Sequence, residues 1–235
     1  MGEGFGVWSM GADAELMPYI DMANIACGFH ASDPQIMSRT VALAVEHQVS
    51  IGAHPSYPDL LGFGRRKMSL SATEIENIIL YQVGALQAIC IAQGASLAYV
   101  KPHGALYNTM MEDEIVYTAV LSAMRALKLD VPLMVMANQN SELFMEKAQA
   151  FNVRLLFEAF CDRAYNDSGH LQSRAQEGAV YDCVERIHQQ AKQLITQQSV
   201  TTVSGRVLNI QADTLCIHGD SPLAVDAVKS IRSLL

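Results

Sequence analysis

Lys101, His103 and Asn108 follow directly on the apolar run Leu97–Val100. Pro102 lacks an N–H and Gly104 favours a turn, so the strand that this run predicts stops there. An ammonium delivered at the end of a buried strand needs a partner or a ligand, because leaving it unpaired among apolar groups is costly. Lys101 therefore suits either a structural pairing with Glu158 or Asp220, or the holding of a carboxylate or phosphate. His103 and Asn108 suit acid/base work and an orienting amide.

The pattern recurs along the chain. His30, His54, Glu158 and His218 each end an apolar run, with Asp33 just beyond His30 and Asp220 just beyond His218. His30 and His54, with a carboxylate nearby, make a sparse donor set for a divalent metal that activates water. Hydrogen-bonded structural histidines and an N-cap role for Asp33 account for the same residues. Arg65 and Arg66, in Gly62-Phe63-Gly64-Arg65-Arg66, suit an anion such as a substrate carboxylate or a partner's acidic surface, or else a solvated loop. Asp162 and Arg163 read as a carboxylate and a guanidinium near the site or as a local ion pair, which contributes little. No Gly-x-Ser-x-Gly elbow is present and no cysteine sits in a nucleophile setting, which disfavours covalent catalysis.

The elements that must carry these residues alternate. Short apolar runs are predicted as strands at 24–27, 49–53, 97–101, 131–136, 153–157 and 214–217. Asp33-Pro34 opens a helix as N-cap and first turn. Ser71-Ala72-Thr73-Glu74 is a capping box before a long helix closed by Gly94. Further helices are expected at 13–20, around 112–127, after Ser141, at 182–193 and after Ser221-Pro222. Ser204-Gly205, between 201–203 and 207–209, predicts a β-hairpin. Alternation of this kind gives a parallel sheet with right-handed crossovers. An open doubly wound sheet concentrates its chemistry at one switch point. Here polar residues end almost every strand, which favours a β/α barrel with one mouth.

Composition sets the outer limits. At 235 residues the chain is expected to be one β/α barrel domain, 1–235, with half of its residues hydrophobic and 17% charged. A net charge of −8 argues against nucleic acid or an anionic membrane surface as partner. No transmembrane helix and no signal peptide are expected, and five scattered cysteines suit reduced thiols in a cytoplasm.

Seven phrases occur in order and span nearly the whole chain: Gly2-Glu3-Gly4-Phe5-Gly6, Asn24-Ile25-Ala26-Cys27-Gly28-Phe29-His30-Ala31, Gly52-Ala53-His54-Pro55, Gly62-Phe63-Gly64-Arg65-Arg66, Val100-Lys101-Pro102-His103-Gly104-Ala105-Leu106-Tyr107-Asn108, Glu158-Ala159-Phe160 with Asp162-Arg163, and Cys216-Ile217-His218-Gly219-Asp220. Together they resemble the LamB/YcsF family, which provides the A subunit of bacterial 5-oxoprolinase. The resemblance implies an α/β fold, a (β/α) barrel of the glycoside hydrolase/deacetylase type with about seven strands. Family members begin with a strand and an Asn-x-Asp segment before the first phrase; Met1 stands at that edge, so the barrel is expected here to lack its first strand.

The implied activity is ATP-dependent opening of the 5-oxoproline (pyroglutamate) lactam to L-glutamate, together with subunits B and C. No nucleotide motif is visible, so ATP is expected on a partner, and a divalent metal is left open with His30 and His54 as candidates. His103, Asp220, Glu158 and His54 are the expected catalytic residues. Asn24, His30, Lys101, Asn108, Arg65, Asp162, Arg163 and His218 are expected to bind substrate. The alternatives are a stand-alone metal-dependent deacetylase or amide hydrolase, acting on a carbohydrate or small amide, and a non-catalytic binding or regulatory subunit.

Overall fold

The computed structural model describes residues 1–235. The chain is α/β. Six parallel strands follow the order β1(Met22–Ala26), β2(Ser50–His54), β3(Leu97–Val100), β4(Leu133–Met136), β5(Leu155–Phe160) and β8(Thr214–Cys216). These are the six runs read from the sequence. The order follows the chain without reversal, which is the winding of a β/α barrel and not of a doubly wound sheet. An antiparallel hairpin, β6(Ser199–Thr201) with β7(Val207–Asn209), stands apart.

Two compact units divide the chain: residues 1–135 with 147–155, and residues 136–146 with 156–235. In the first, β1 and β2 pair in register from Met22↔Ser50 to Ala26↔His54. The β2–β3 ladder shifts between Ile51 and Gly52, next to Gly52↔Tyr99. A Cβ on Gly52 would lie 2.1 Å from the Tyr99 ring, so only glycine lets that buried tyrosine cross over β2. The Tyr99 hydroxyl donates to Asn24 Oδ1 at 2.8 Å.

The helices of this unit start where their caps dictate. A short α1(Asp13–Leu16) continues into a 3₁₀ turn, Met17–Tyr19. Asp33 caps α2(Pro34–Glu46), accepting from Gln35 N and Ile36 N, and its other oxygen takes Gly6 N–H at 2.9 Å. The Ser71–Glu74 capping box opens α3(Ala72–Ala92), and Gly94 beyond it has φ +71°, in the left-handed region. α3 is long and apolar enough, by length and composition, to cross a membrane, a test that the core helix of a soluble protein also passes. Its Ile75, Ile79, Val83 and Leu86 are buried, and it packs on α5(Glu114–Leu127). Buried Gln82 of α3 clamps one residue of the loop after β2, accepting from Ser56 N and donating to Ser56 O.

The helix expected around 112–127 is α5, and one that the sequence pattern does not announce precedes it. α4(Gly104–Glu112) ends at Asp113, whose side chain accepts from Ile115 N and Val116 N and so caps α5.

In the second unit β5 pairs with β8 from Glu158↔Thr214 to Phe160↔Cys216. β5 runs to Phe160, so Glu158 lies inside the strand and not at its end as the sequence reading placed it. α6(Ser141–Ala150) is shared between the units by residue range. Ser141 Oγ bonds back to Asn138 O and takes Asn138 N–H, rather than capping forward into α6. α7(Val184–Gln197) packs on α8(Ala224–Arg232). Gln190 of α7, buried, donates to the carbonyls of Phe160 and Arg163 and fixes the chain where it leaves β5. Four of the five cysteines are buried, and burial pushes Cys27 up to about 12 and Cys90 up to about 11, so these thiols pack as small apolar groups.

Candidate active site

Three histidines meet in the first unit. His54 ends β2, His30 follows β1, and His103 is the N-cap of α4, reached from β3 through Lys101-Pro102. All three are buried. His54 Nδ1 lies 2.6 Å from the Lys101 carbonyl, so it carries a proton and donates. His54 Nε2 lies 3.0 Å from His103 Nδ1. His103 Nε2 lies 2.9 Å from the Phe63 carbonyl and also donates. His30 stacks on His103, with ring centroids 3.7 Å apart and planes 4° from parallel. The Phe63 ring stands edge-on to both, at 5.5 and 5.3 Å.

The loop after β2 makes the floor of this group. Gly64 (φ +64°) passes so close that a Cβ there would lie 2.8 Å from both His30 Cβ and His103 Cδ2. Gly64 O accepts from Ala105 N, tying the loop to the start of α4. Asp59 holds the loop's shape, accepting from Gly62 N, Arg66 N and the Arg66 guanidinium, and those bonds hold its carboxyl below the usual range. Arg66 is therefore spent on Asp59. Arg65 is exposed, with its guanidinium 4.9 Å over the Phe63 ring.

Electrostatics follows from burial. Desolvation first, then the neighbouring His103, holds His30 and His54 well below the ordinary histidine value, so both are neutral. His30 has no hydrogen bond on either ring nitrogen; a Glu3 carboxylate oxygen lies 3.9 Å from its Nε2. A buried imidazole without partners is rare and points to a ligand. Lys101 is buried, 5.8 Å from the Tyr107 ring.

Glu3, His30 and His103 bring one ligand atom each within 4.8 Å of one another. A metal needs lone pairs, and both nitrogens of His103 are already in hydrogen bonds. Both nitrogens of His54 are committed too. Only Glu3 and His30 present open donors, and two donors do not fit a tightly held divalent ion.

The second unit carries a separate pair. Asp162 and His218 are joined twice: His218 Nδ1 lies 2.8 and 3.1 Å from the two carboxylate oxygens, and His218 N donates to Oδ2 at 3.0 Å. Asp162 is buried; its desolvation is outweighed by His218 and by the hydrogen bonds from it, and its carboxyl is lowered to about 2. Phe160 stacks on the His218 ring at 5.8 Å. Glu158 is buried within β5 and Asp220 is exposed. Arg163 gives Nε to Ala179 O and Nη2 to Gln172 O, bracing the excursion 162–181.

Of the residues singled out from the sequence, His30, His54 and His103 are in contact in one unit, and Asp162 and His218 in the other. Asn108 is exposed on α4, Asn24 is bonded to Tyr99 within the first unit, and Arg163 serves the backbone. Sequence reasoning missed Phe63 and Gly64 as packing partners of the histidines and Asp59 as the loop's anchor; the Gly62-Phe63-Gly64 phrase was the signal, and only the arginines beside it drew notice.

The model of the LamB/YcsF family matches residues 1–235. Over 235 residues the chain is 55% identical to the 5-oxoprolinase A subunit of Vibrio cholerae serotype O1, covering all of this chain and 95% of that one. It is 52% identical to a 5-oxoprolinase A subunit of Pseudomonas putida, covering 91% of it. The crystal structure of the lactam utilization protein from Thermus thermophilus matches with a TM-score of 0.91 at 38% identity, over 100% of this chain and 92% of that one. This chain belongs to the LamB/YcsF family.

Proposed function

We propose that this chain is the A subunit of a 5-oxoprolinase, a hydrolase that opens the 5-oxoproline lactam to L-glutamate. One observation carries the reading: 55% identity, along the whole chain, to a protein of that name. A lactam carbon is a poor electrophile because the nitrogen lone pair is delocalised into the carbonyl. Phosphorylation of the amide oxygen by ATP removes that obstacle, and it is assigned to partner subunits B and C, with the complex in the cytoplasm. This chain then receives the activated lactam.

Its residues have the chemistry for that task. His30 offers unpartnered ring nitrogens to polar atoms of the substrate, and Lys101 and Arg65 suit its carboxylate or phosphate. His54 and His103 would set the charge beside it; within the second unit, Glu158 and Asp220 remain candidate acid/base carboxylates. A stand-alone metal-dependent deacetylase is the weaker reading, since both nitrogens of His54 and His103 are committed.

The test is glutamate release from 5-oxoproline by the chain with subunits B and C. Release that requires both ATP and this chain is expected; release that ignores either would end the proposal. Lys101→Ala should lower turnover about 100-fold, and unchanged turnover removes Lys101 from the site.

A further inference from the structure

We propose that His218 is the general base and proton carrier of ring opening, with Asp162 as its positioning carboxylate. The inference rests on the 5-oxoprolinase reading above and assigns a catalytic role to a residue so far counted among substrate contacts.

The geometry fixes one tautomer. Both oxygens of Asp162 face His218 Nδ1, at 2.8 and 3.1 Å, and a carboxylate accepts only. Nδ1 therefore carries the proton, and in the neutral ring Nε2 carries the lone pair. The ring is held as well as polarised. Its own backbone N–H is bound to Asp162 Oδ2, and its face lies near Phe160. The Asp162 side chain is 4% exposed, whereas the His218 side chain is 27% exposed, so the carboxylate is hidden and the imidazole reaches open space. Asp162 sits where the chain leaves β5, on the segment anchored by Gln190, and His218 sits just after β8, paired to β5 up to Phe160↔Cys216. Adjacent paired strands thus deliver an oriented base and its orienter together. A surface ion pair would have neither the buried acid nor the double attachment. His103 cannot take the same part, since its nitrogens are held by His54 and by the Phe63 carbonyl.

The chemistry balances with water as the only added reactant. In the O-phosphorylated lactam the ring carbon is doubly bonded to nitrogen. Water oxygen bonds to that carbon, the C=N electron pair moves onto nitrogen, and Nε2 takes one water proton and passes it to nitrogen. Nε2 then takes the remaining hydroxyl proton as the C=O forms and the C–N bond breaks, and passes that proton to nitrogen. The amine leaves neutral, His218 is restored, and the product is an acyl phosphate that a second water converts to glutamate and phosphate.

The test uses the chain with subunits B and C and reads kcat and KM for 5-oxoproline separately, alongside the ¹⁵N spectrum of the histidines in the chain alone. His218→Gln is expected to lower kcat by about 100-fold or more while KM moves less than threefold. Asp162→Asn should lower kcat by about tenfold or more and convert His218 to the Nε2–H tautomer, because an amide N–H can donate to Nδ1. Asp162→Glu should restore part of the loss. An unchanged kcat in His218→Gln, or an Nε2–H tautomer in the wild-type chain, overturns the proposal. Wild-type protein that releases no glutamate overturns the 5-oxoprolinase reading, and the dyad that rests on it, whatever the spectrum shows. Active wild type with equally active His218→Gln sinks the dyad alone.

Discussion

His54 Nε2 and His103 Nδ1 stand 3.0 Å apart, and the outer nitrogen of each ring faces a backbone carbonyl, Lys101 O and Phe63 O. Carbonyls accept only, so both outer nitrogens carry protons. A hydrogen bond between the rings needs a third proton, and four nitrogens holding three protons carry one positive charge. Two neutral rings would set lone pair against lone pair. Burial and His103 hold His54 well below the ordinary value, which places the extra proton on His103. The prediction is a ¹⁵N spectrum at neutral pH with His54 protonated at Nδ1 only and His103 at both nitrogens. A neutral His103 would refute it. His103→Gln, which removes the charge, should cost at least about tenfold in turnover.

Stability should fall with acid in two stages. His30 and His54 are lowered in the fold relative to 6.5, so below that value the unfolded chain binds protons that the native state refuses. Their contribution is complete above about pH 6.5 and is lost as pH falls below it. Asp162 is lowered from 3.8 to about 2, so its contribution is complete above about pH 4 and is lost as pH falls toward 2. Roughly two pKa units correspond to about 2–3 kcal/mol for this buried group. Urea midpoints measured from pH 8 to 2 should fall first below 6.5 and again below 4. In Asp162→Asn the second fall should be smaller; an unchanged second fall would mean that Asp162 is not the group responsible.

The strands were legible because each is a short apolar run closed by a polar residue, and β1 to β5 and β8 all lie where those runs were read. The caps were legible because Asp33-Pro34 and Ser71-x-x-Glu74 carry their hydrogen bonds in their spacing. α4 was hidden, since Gly104 and the site phrase masked a helical face that Leu106, Tyr107, Met110 and Met111 bury. Which polar residues turn inward was hidden too. Arg65 and Arg66 look alike in sequence, and only Asp59, seven residues before Arg66, separates them. Likewise Asn24 meets Tyr99, its bond partner, across 75 residues, through a contact that no local pattern encodes.

Two glycines should respond oppositely to alanine. Gly64 has φ +64° and no room for a methyl group beside His30 and His103. Gly64→Ala should cost about 1–3 kcal/mol, since backbone strain and overpacking act together. It should also lower turnover, because Phe63 O and Gly64 O hold His103 and Ala105. Gly84, inside α3, has nothing within 4 Å of where a Cβ would stand. Gly84→Ala should raise stability by roughly 0.5–1 kcal/mol from helix propensity, with turnover unchanged. Chemical denaturation of both variants decides the matter, and a neutral Gly64→Ala would show that the loop does not press on the histidines.

Asp59 should govern whether the loop after β2 stays closed. It is buried, and its carboxylate collects two backbone N–H groups and the Arg66 guanidinium from three points of one loop. Asp59→Ala removes all of these acceptors at once, leaving Gly62 N and Arg66 N to find water. The loop then opens, and with it the Phe63 carbonyl that His103 donates to. Arg66→Ala removes only the side-chain arm and leaves both N–H bonds in place, so its effect should be smaller. Limited trypsin digestion provides the measurement, since Arg65, Arg66 and Lys67 lie together and exposed. Cleavage there should be fast in Asp59→Ala, slower in Arg66→Ala at the remaining sites, and slowest in the wild type. Equal rates in all three would mean that the fold around the loop, and not Asp59, keeps it shut.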